Sequence, residues 1–120
     1  MRFKARLYIR GNLQESVYED TYAVTLAAKL FRALIAIIAI FDLNCWQGDA
    51  VNIFANSEIN EVVYIKYLNR FLIKGKCLLL QRALYGLRQS PLLWYNNLTI
   101  TLKKEGLKPV AEEPCLYHNN

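Results

Sequence analysis

The sequence predicts an α+β fold. Three observations carry that expectation: period-two alternation near the amino end, two stretches with apolar residues spaced by three and four, and short apolar runs that do not alternate regularly with helices as in a doubly wound sheet. With 120 residues the chain is long enough for one domain and too short for a second independent core. An apolar fraction of 54% excludes a disordered tail, and only 5 Gly and 3 Pro exclude a collagen-like or Pro/Gly-rich chain. A net charge of +5 fits a polyanionic partner, although many unrelated soluble proteins carry the same excess.

Phe3, Ala5, Leu7 and Ile9 alternate with Arg2, Lys4, Arg6, Tyr8 and Arg10, which predicts a half-buried strand ended by Gly11-Asn12. Its outer row is almost wholly basic, a pattern that suits a grip on phosphates and equally a solvated or charge-protected edge. Over residues 25–41, Leu26, Leu30, Leu34, Ile37, Ile38 and Phe41 predict an amphipathic helix that becomes fully buried toward its end. Its longest apolar stretch, residues 33–41 between Arg32 and Asp42, is far short of the roughly 20 residues a bilayer span needs. Residues 44–51 read as a short strand running into a turn that presents Asp49. Residues 62–67 and 77–80 read as two further strands, with Lys74-Gly75-Lys76 as a turn between them. Ser90-Pro91 opens a helix, the hydroxyl as N-cap and the proline in the first turn. Trp94, Tyr95, Leu98 and Leu102 form one face of that helix, and Lys103, Lys104 and Gly106 close it. Leu116-Tyr117 begins a last short strand.

Chemistry has few candidates. Cys45, Cys77 and Cys115 are an odd number of widely spaced thiols, which predicts neither a disulfide framework nor a zinc site and points to a reducing, intracellular compartment, cytoplasmic or nuclear. The opening Met1-Arg2-Phe3-Lys4 has no apolar signal core, so secretion is not expected and Asn97-Leu98-Thr99 is no glycosylation site. The single histidine, His118, lies near the end of the sequence, and no Gly-x-Ser-x-Gly elbow or Gly-rich phosphate loop is present, which argues against a hydrolase triad and a P-loop or Rossmann site. What remains is Asp49, whose carboxylate could hold a divalent ion or simply form a turn, and the segment Ala83-Leu84-Tyr85-Gly86-Leu87-Arg88-Gln89-Ser90-Pro91.

Five ordered motifs resemble the reverse transcriptase domain of copia-type retrotransposon polyproteins. Lys4-Ala5-Arg6-Leu7 with Arg10-Gly11 is similar to that family's Lys-Ala-Arg-Leu-Val-Ala-Arg-Gly. Tyr18-Glu19-Asp20-Thr21-Tyr22-Ala23 is similar to Tyr-x-Glu-Thr-Phe-Ala, and Gln47-Gly48-Asp49-Ala50-Val51-Asn52-Ile53-Phe54-Ala55-Asn56 to Gln-Met-Asp-Val-Lys-Thr-Ala-Phe-Leu-Asn. Leu84-Tyr85-Gly86-Leu87-Arg88-Gln89-Ser90-Pro91 with Trp94-Tyr95 is the most specific match, and Glu113-Pro114-Cys115-Leu116-Tyr117 resembles Asp-Pro-Cys-Val-Tyr. The resemblance implies the fingers and first part of the palm, an antiparallel sheet with helices packed on one face, as a single partial domain over residues 1–120.

It also implies roles. Asp49 would be the first metal-binding carboxylate, for Mg2+ or Mn2+, and Phe54 the aromatic gate against a 2′-hydroxyl. Lys4 and Arg6 would meet the triphosphate, Tyr85 and Gly86 would line the nucleotide pocket, and Arg88 would stand nearby. The partners would be an RNA or DNA template-primer, a deoxynucleotide and the rest of a polyprotein, with no membrane. Read from the residues alone, Phe54 suits a core position as well as a gate, and Trp94 and Tyr95 suit core anchors better than base-stacking platforms. The family's lysine two after the aspartate is Val51 here, its proline after Phe-Ala is Val24, its Asn-Gly is Asn56-Ser57, and its Gln-Pro-x-Gly-Phe is Tyr67-Leu68-Asn69-Arg70-Phe71. These 120 residues contain no Tyr-x-Asp-Asp, the hairpin that carries the family's other two carboxylates. The expectation is therefore a remnant or partial gene model, inactive by itself, with a residual nucleic-acid-binding module or an inert relic as the alternatives. Exposed apolar surface should remain where the hairpin would pair.

Overall fold

Local hydrogen bonding accounts for most of the regular structure. A computed structural model of the chain describes residues 6–15 and 21–119, so Lys4 and most of the Tyr18-to-Tyr22 motif lie outside the described residues. The elements are helix α1 (Ala28–Ile40), strand β1 (Tyr64–Ile65), strand β2 (Leu78–Leu79), helix α2 (Ser90–Lys104), strand β3 (Lys108–Val110) and strand β4 (Glu113–His118), with 3-10 turns at Gly11–Leu13, Ile53–Asn56 and Asn69–Phe71. The class is mixed helix and antiparallel strand.

α2 forms where Ser90-Pro91 and the basic last turn place it. At its far end Leu107 N–H donates to Leu102 O at 3.0 Å and Gly106 N–H to Lys103 O at 3.1 Å, with Gly106 at φ +85, the left-handed closure that glycine adopts without a steric cost. One detail departs from the sequence reading. The N-cap is Gln89, without a side-chain cap bond, and the Ser90 hydroxyl instead donates back to Leu84 O at 2.7 Å. A serine in the first turn can satisfy a preceding carbonyl as readily as a free N–H.

β1 and β2 pair antiparallel, Tyr64 with Leu79 and Ile65 with Leu78, and residues 74–75 turn between them with Gly75 at φ +75. β3 and β4 form a second antiparallel ribbon, with a bulge between Pro109 and Val110. In place of the expected single sheet with both helices on one face, the described residues form two separate two-stranded ribbons. Residues 6–10 form no strand, and residues 43–50, expected as a strand, are exposed coil. A strand exists only through a neighbour that takes its N–H and C=O groups, and among the described residues nothing pairs with 43–50.

α1 forms over the expected span, and Asp42, at φ +49, lets Leu43 N–H reach Ile38 O at 3.0 Å. It is not buried: Ile40 is 74% exposed, and the helix contains no buried residue. The periodicity made a helix; burial needed a partner that the described residues do not supply. Trp46 beyond it is 96% exposed. The accessible surface is 10543 Å², against about 6,700 Å² for a compact monomer of this mass. The radius of gyration is 18.6 Å, where a compact chain of this length has about 13.6 Å. Large apolar side chains such as Phe31, Ile40 and Trp46 contribute to that accessible surface. Among the described residues Ala83 and Leu87 are the buried apolar side chains, so the packed centre lies in the segment that carries the most specific motif.

Candidate functional site

Residues 82–97 are tied on two sides. Ala83 N–H donates to Ser57 O at 2.9 Å, which joins the segment to the turn at Ile53–Asn56 and its neighbour. Asn97 of α2 donates to Asn56 O at 3.2 Å, and Arg82 donates to Ala55 O at 3.4 Å. On the other side Ile9 N–H donates to Tyr85 O at 2.8 Å. The two backbones touch there. A Cβ on Gly86, which sits at φ +92, would fall on the carbonyl oxygen of Ile9, and a Cβ on Gly11 would fall on that of Gly86. Glycine is required at both positions because backbone fills the space a side chain would take.

Polar side chains reinforce this contact. Arg88 donates through Nε to Gly11 O at 2.9 Å, and its own N–H reaches Gln14 Oε1 at 3.3 Å. Gln14 donates to Gln89 Oε1 at 2.9 Å, and Gln89 donates in turn to Glu61 Oε1. Gln89 is buried, so its amide would be costly to leave unpaired.

The site residues expected from the sequence divide into those brought together and those left apart. Phe54 and Tyr85 meet edge to face, ring centroids 4.7 Å apart at 76°, and Tyr8 approaches the Tyr85 ring at 5.6 Å. Such pairs contribute about 0.5–1.5 kcal/mol beyond area burial, enough to hold a ring in one orientation. Gly86 adjoins them. Arg88 is placed beside Gly11, where its Nε is engaged by a backbone carbonyl. Arg6 is exposed, Lys4 lies outside the described residues, and Asp49 lies in the exposed coil of residues 43–50 rather than at the end of a central strand. Among the described residues no three His, Cys, Asp or Glu side chains are grouped to hold a metal ion. Asp49 alone does not fit a divalent-ion site, since such ions need several oxygen ligands to be positioned.

The sequence assigns no site role to Tyr8, Gln14 or Glu61, and places Gln89 in the candidate segment without a role of its own. Tyr8 sits in the basic row of an alternating segment, and the polar residues pair across 28 to 75 positions, a separation at which local pattern carries no signal. Alongside this cluster runs a groove of about 890 Å³, with Leu7, Arg10, Leu13, Tyr64, Lys66 and Phe71 among its walls and Tyr8 shared with the aromatic contact. No helix among the described residues is long and apolar enough to cross a membrane.

Comparison with known proteins agrees with the motifs. The family described as reverse transcriptase (RNA-dependent DNA polymerase) matches residues 1–120. The chain is 26% identical over 122 residues to the retrovirus-related Pol polyprotein from transposon TNT 1-94 of Nicotiana tabacum, covering 98% of this chain and 9% of that protein. It is 27% identical over 120 residues to the truncated transposon Ty1-A Gag-Pol polyprotein of Saccharomyces cerevisiae, covering 98% of this chain and 10% of the relative. For the Ty1-MR1 Gag-Pol polyprotein of the same yeast the values are 26%, 98% and 7%. The chain thus spans a tenth or less of the curated relatives it matches. No solved structure matches it significantly. A family match over every residue, together with relatives of the transposon Pol type, makes this chain a member of the copia-type reverse transcriptase (RNA-dependent DNA polymerase) family.

Proposed function

We propose that residues 1–120 supply the fingers and the first part of the palm of a retrotransposon reverse transcriptase, within a longer polyprotein, for RNA-templated DNA synthesis. Tyr85 and Gly86 line the pocket for the incoming deoxynucleotide, with Arg88 beside them. Phe54 faces the sugar, where its ring excludes a 2′-hydroxyl, and Tyr85 keeps that ring from swinging aside. Lys4 and Arg6 neutralise the triphosphate, and Asp49 offers one carboxylate.

The observation that supports this most is the Phe54–Tyr85 ring contact. It joins two side chains 31 positions apart to which the resemblance independently assigns one pocket. Because Asp49 by itself makes no ion site and no Tyr-x-Asp-Asp is present, we assign no primer extension to these 120 residues alone. With magnesium or manganese, incorporation should not exceed that of Asp49→Ala, and template-dependent synthesis above that control would refute the assignment. Deoxynucleoside triphosphate binding, read by equilibrium dialysis, should weaken about fivefold in Phe54→Ala and in Tyr85→Ala, the loss of roughly 1 kcal/mol of ring contact. Unchanged binding in both would sink the pocket reading.

A non-catalytic nucleic-acid-binding module has its own support, since Arg10 and Lys66 both border the groove beside the aromatic cluster. Binding of that kind is indifferent to sequence and steeply salt-dependent. Replacing Lys4 and Arg6 with Ala should shallow the salt slope by about one to two units, whereas an unchanged slope would make these residues a solvated face.

A further inference from the structure

We infer that Gln89 is a positioning residue, whose buried amide bridges Gln14 and Glu61 and thereby locks the Tyr85-Gly86 turn onto the segment that carries Tyr8 and Gly11. The inference deepens the reading of Tyr85 and Gly86 as pocket residues and rests on it for its functional meaning.

The argument begins with what the glycine contact lacks. Gly11 and Gly86 allow the two backbones to approach, and one backbone–backbone hydrogen bond, Ile9 N–H to Tyr85 O, spans them beside the Arg88 Nε bond to Gly11 O. Permission to approach is not a reason to stay. Glycine carries no side chain to restrain its backbone, and a single exchange of peptide–water for peptide–peptide hydrogen bonding is worth only about 1 kcal/mol. The turn that aims Tyr85 at Phe54 is therefore held by side chains as well, by Arg88 on Gly11 O and by the amides of Gln14 and Gln89.

Gln89 has the right chemistry for it. Its amide has one accepting and one donating end, and each is used in a different direction. Oε1 accepts from Gln14 Nε2 at 2.9 Å, while Nε2 donates to Glu61 Oε1. Gln14 in turn uses its own Oε1 on the Arg88 N–H. The result is a directional chain, Arg88 to Gln14 to Gln89 to Glu61, in which every donor meets an acceptor. It links the 3-10 turn after Gly11, the entry to α2 and the residues just before β1. Gln89 is 6% exposed, so the partners cannot be exchanged for water without opening the cluster.

A directional chain can be reversed, which separates it from a merely space-filling role. Gln89→Glu keeps the volume but sets a carboxylate against the Glu61 carboxylate, with no donor between them. Exchanging both residues, Gln89→Glu with Glu61→Gln, restores a donor facing an acceptor at each step, because the new glutamine donates to the new carboxylate, which also accepts from Gln14. The experiment is hydrogen–deuterium exchange of the full 120-residue chain at neutral pH, followed in peptides covering residues 7–14 and, as an internal reference, residues 92–102 of α2.

Gln89→Glu should speed exchange of the 7–14 peptide about tenfold, and the double exchange should return it to within about twofold of the original chain. If the single substitution also speeds α2, recovery of both peptides in the double exchange still supports the bridge. An unchanged 7–14 peptide in Gln89→Glu, or a double exchange that fails to recover, overturns it. Deoxynucleoside triphosphate binding measured on the same three proteins keeps the two readings apart. Recovery of exchange with no nucleotide binding in any of them leaves the bridge standing and removes the pocket; binding that falls and recovers in step with exchange supports both.

Discussion

Residues 82–104, with the segments around Gly11 and Ser57 that they engage, differ from residues 28–52 in how apolar and polar groups find partners. In the first region, backbone meets backbone at Gly11 and Gly86, Ala83 and Leu87 are buried, and side-chain ties cross 74 to 77 positions of sequence. In the second, α1 satisfies its own backbone, yet Phe31, Ile35, Ile37 and Ile40 stay exposed and residues 43–50 run on unpaired. The second region is the more apolar in sequence and the less buried in structure. Hydrophobicity drives burial only where a complementary surface is within reach, whereas a modest apolar segment becomes the centre when hydrogen bonds tie it to distant parts of the chain.

The sharpest way to break this contrast is at the glycines. Gly11→Ala and Gly86→Ala each place a methyl on a carbonyl oxygen, and should cost about 3 kcal/mol, combining overpacking with, at Gly86, an unfavourable positive φ. Urea unfolding would show it, and a loss below about 1 kcal/mol would mean the backbones part easily. Ser57 offers a change of opposite sign. Its hydroxyl is buried without a partner among the described residues, so Ser57→Ala should raise stability by about 1 kcal/mol. A loss of that size would indicate that the hydroxyl is satisfied in solution.

In the exposed region the effects should be smaller. Asp42→Gly removes a side chain from the left-handed position that closes α1 and should add about 0.5–1 kcal/mol. Ile35→Lys should change stability by less than about 0.5 kcal/mol while raising solubility, because the side chain is already exposed. A large destabilisation there would mean that α1 is covered in solution.

Cys115 gives the mildest test. Burial first, and the nearby Glu113 carboxylate second, push its thiol above the ordinary value, and its Sγ donates to Val24 O at 3.3 Å. A thiol raised in the folded chain contributes stability that is complete below the unfolded thiol value of about 8.5 and fades as pH rises through the folded value. Maleimide at neutral pH should therefore label exposed Cys45 and Cys77 before Cys115. Equal rates would show that β4 does not shield it.

Some of this was legible without coordinates. Pro91, Lys103, Lys104 and Gly106 delimit α2 because capping chemistry acts within one turn. The two strands, within residues 62–67 and 77–80, and the turn between them follow from two apolar runs around Lys74-Gly75-Lys76, and α1 follows from its spacing. The names Phe54, Tyr85 and Gly86 came from motif resemblance, and their placement together is a fact of the tertiary structure. So are the Gln14, Gln89 and Glu61 bridge, the choice of Gln89 over Ser90 as N-cap, and the coil around Asp49. The physical division is one of range. Helix closure and turn geometry depend on residues a few positions apart, which the sequence by itself determines. Burial, strand pairing and buried amide partnerships depend on which distant surfaces meet, and only the tertiary structure decides those.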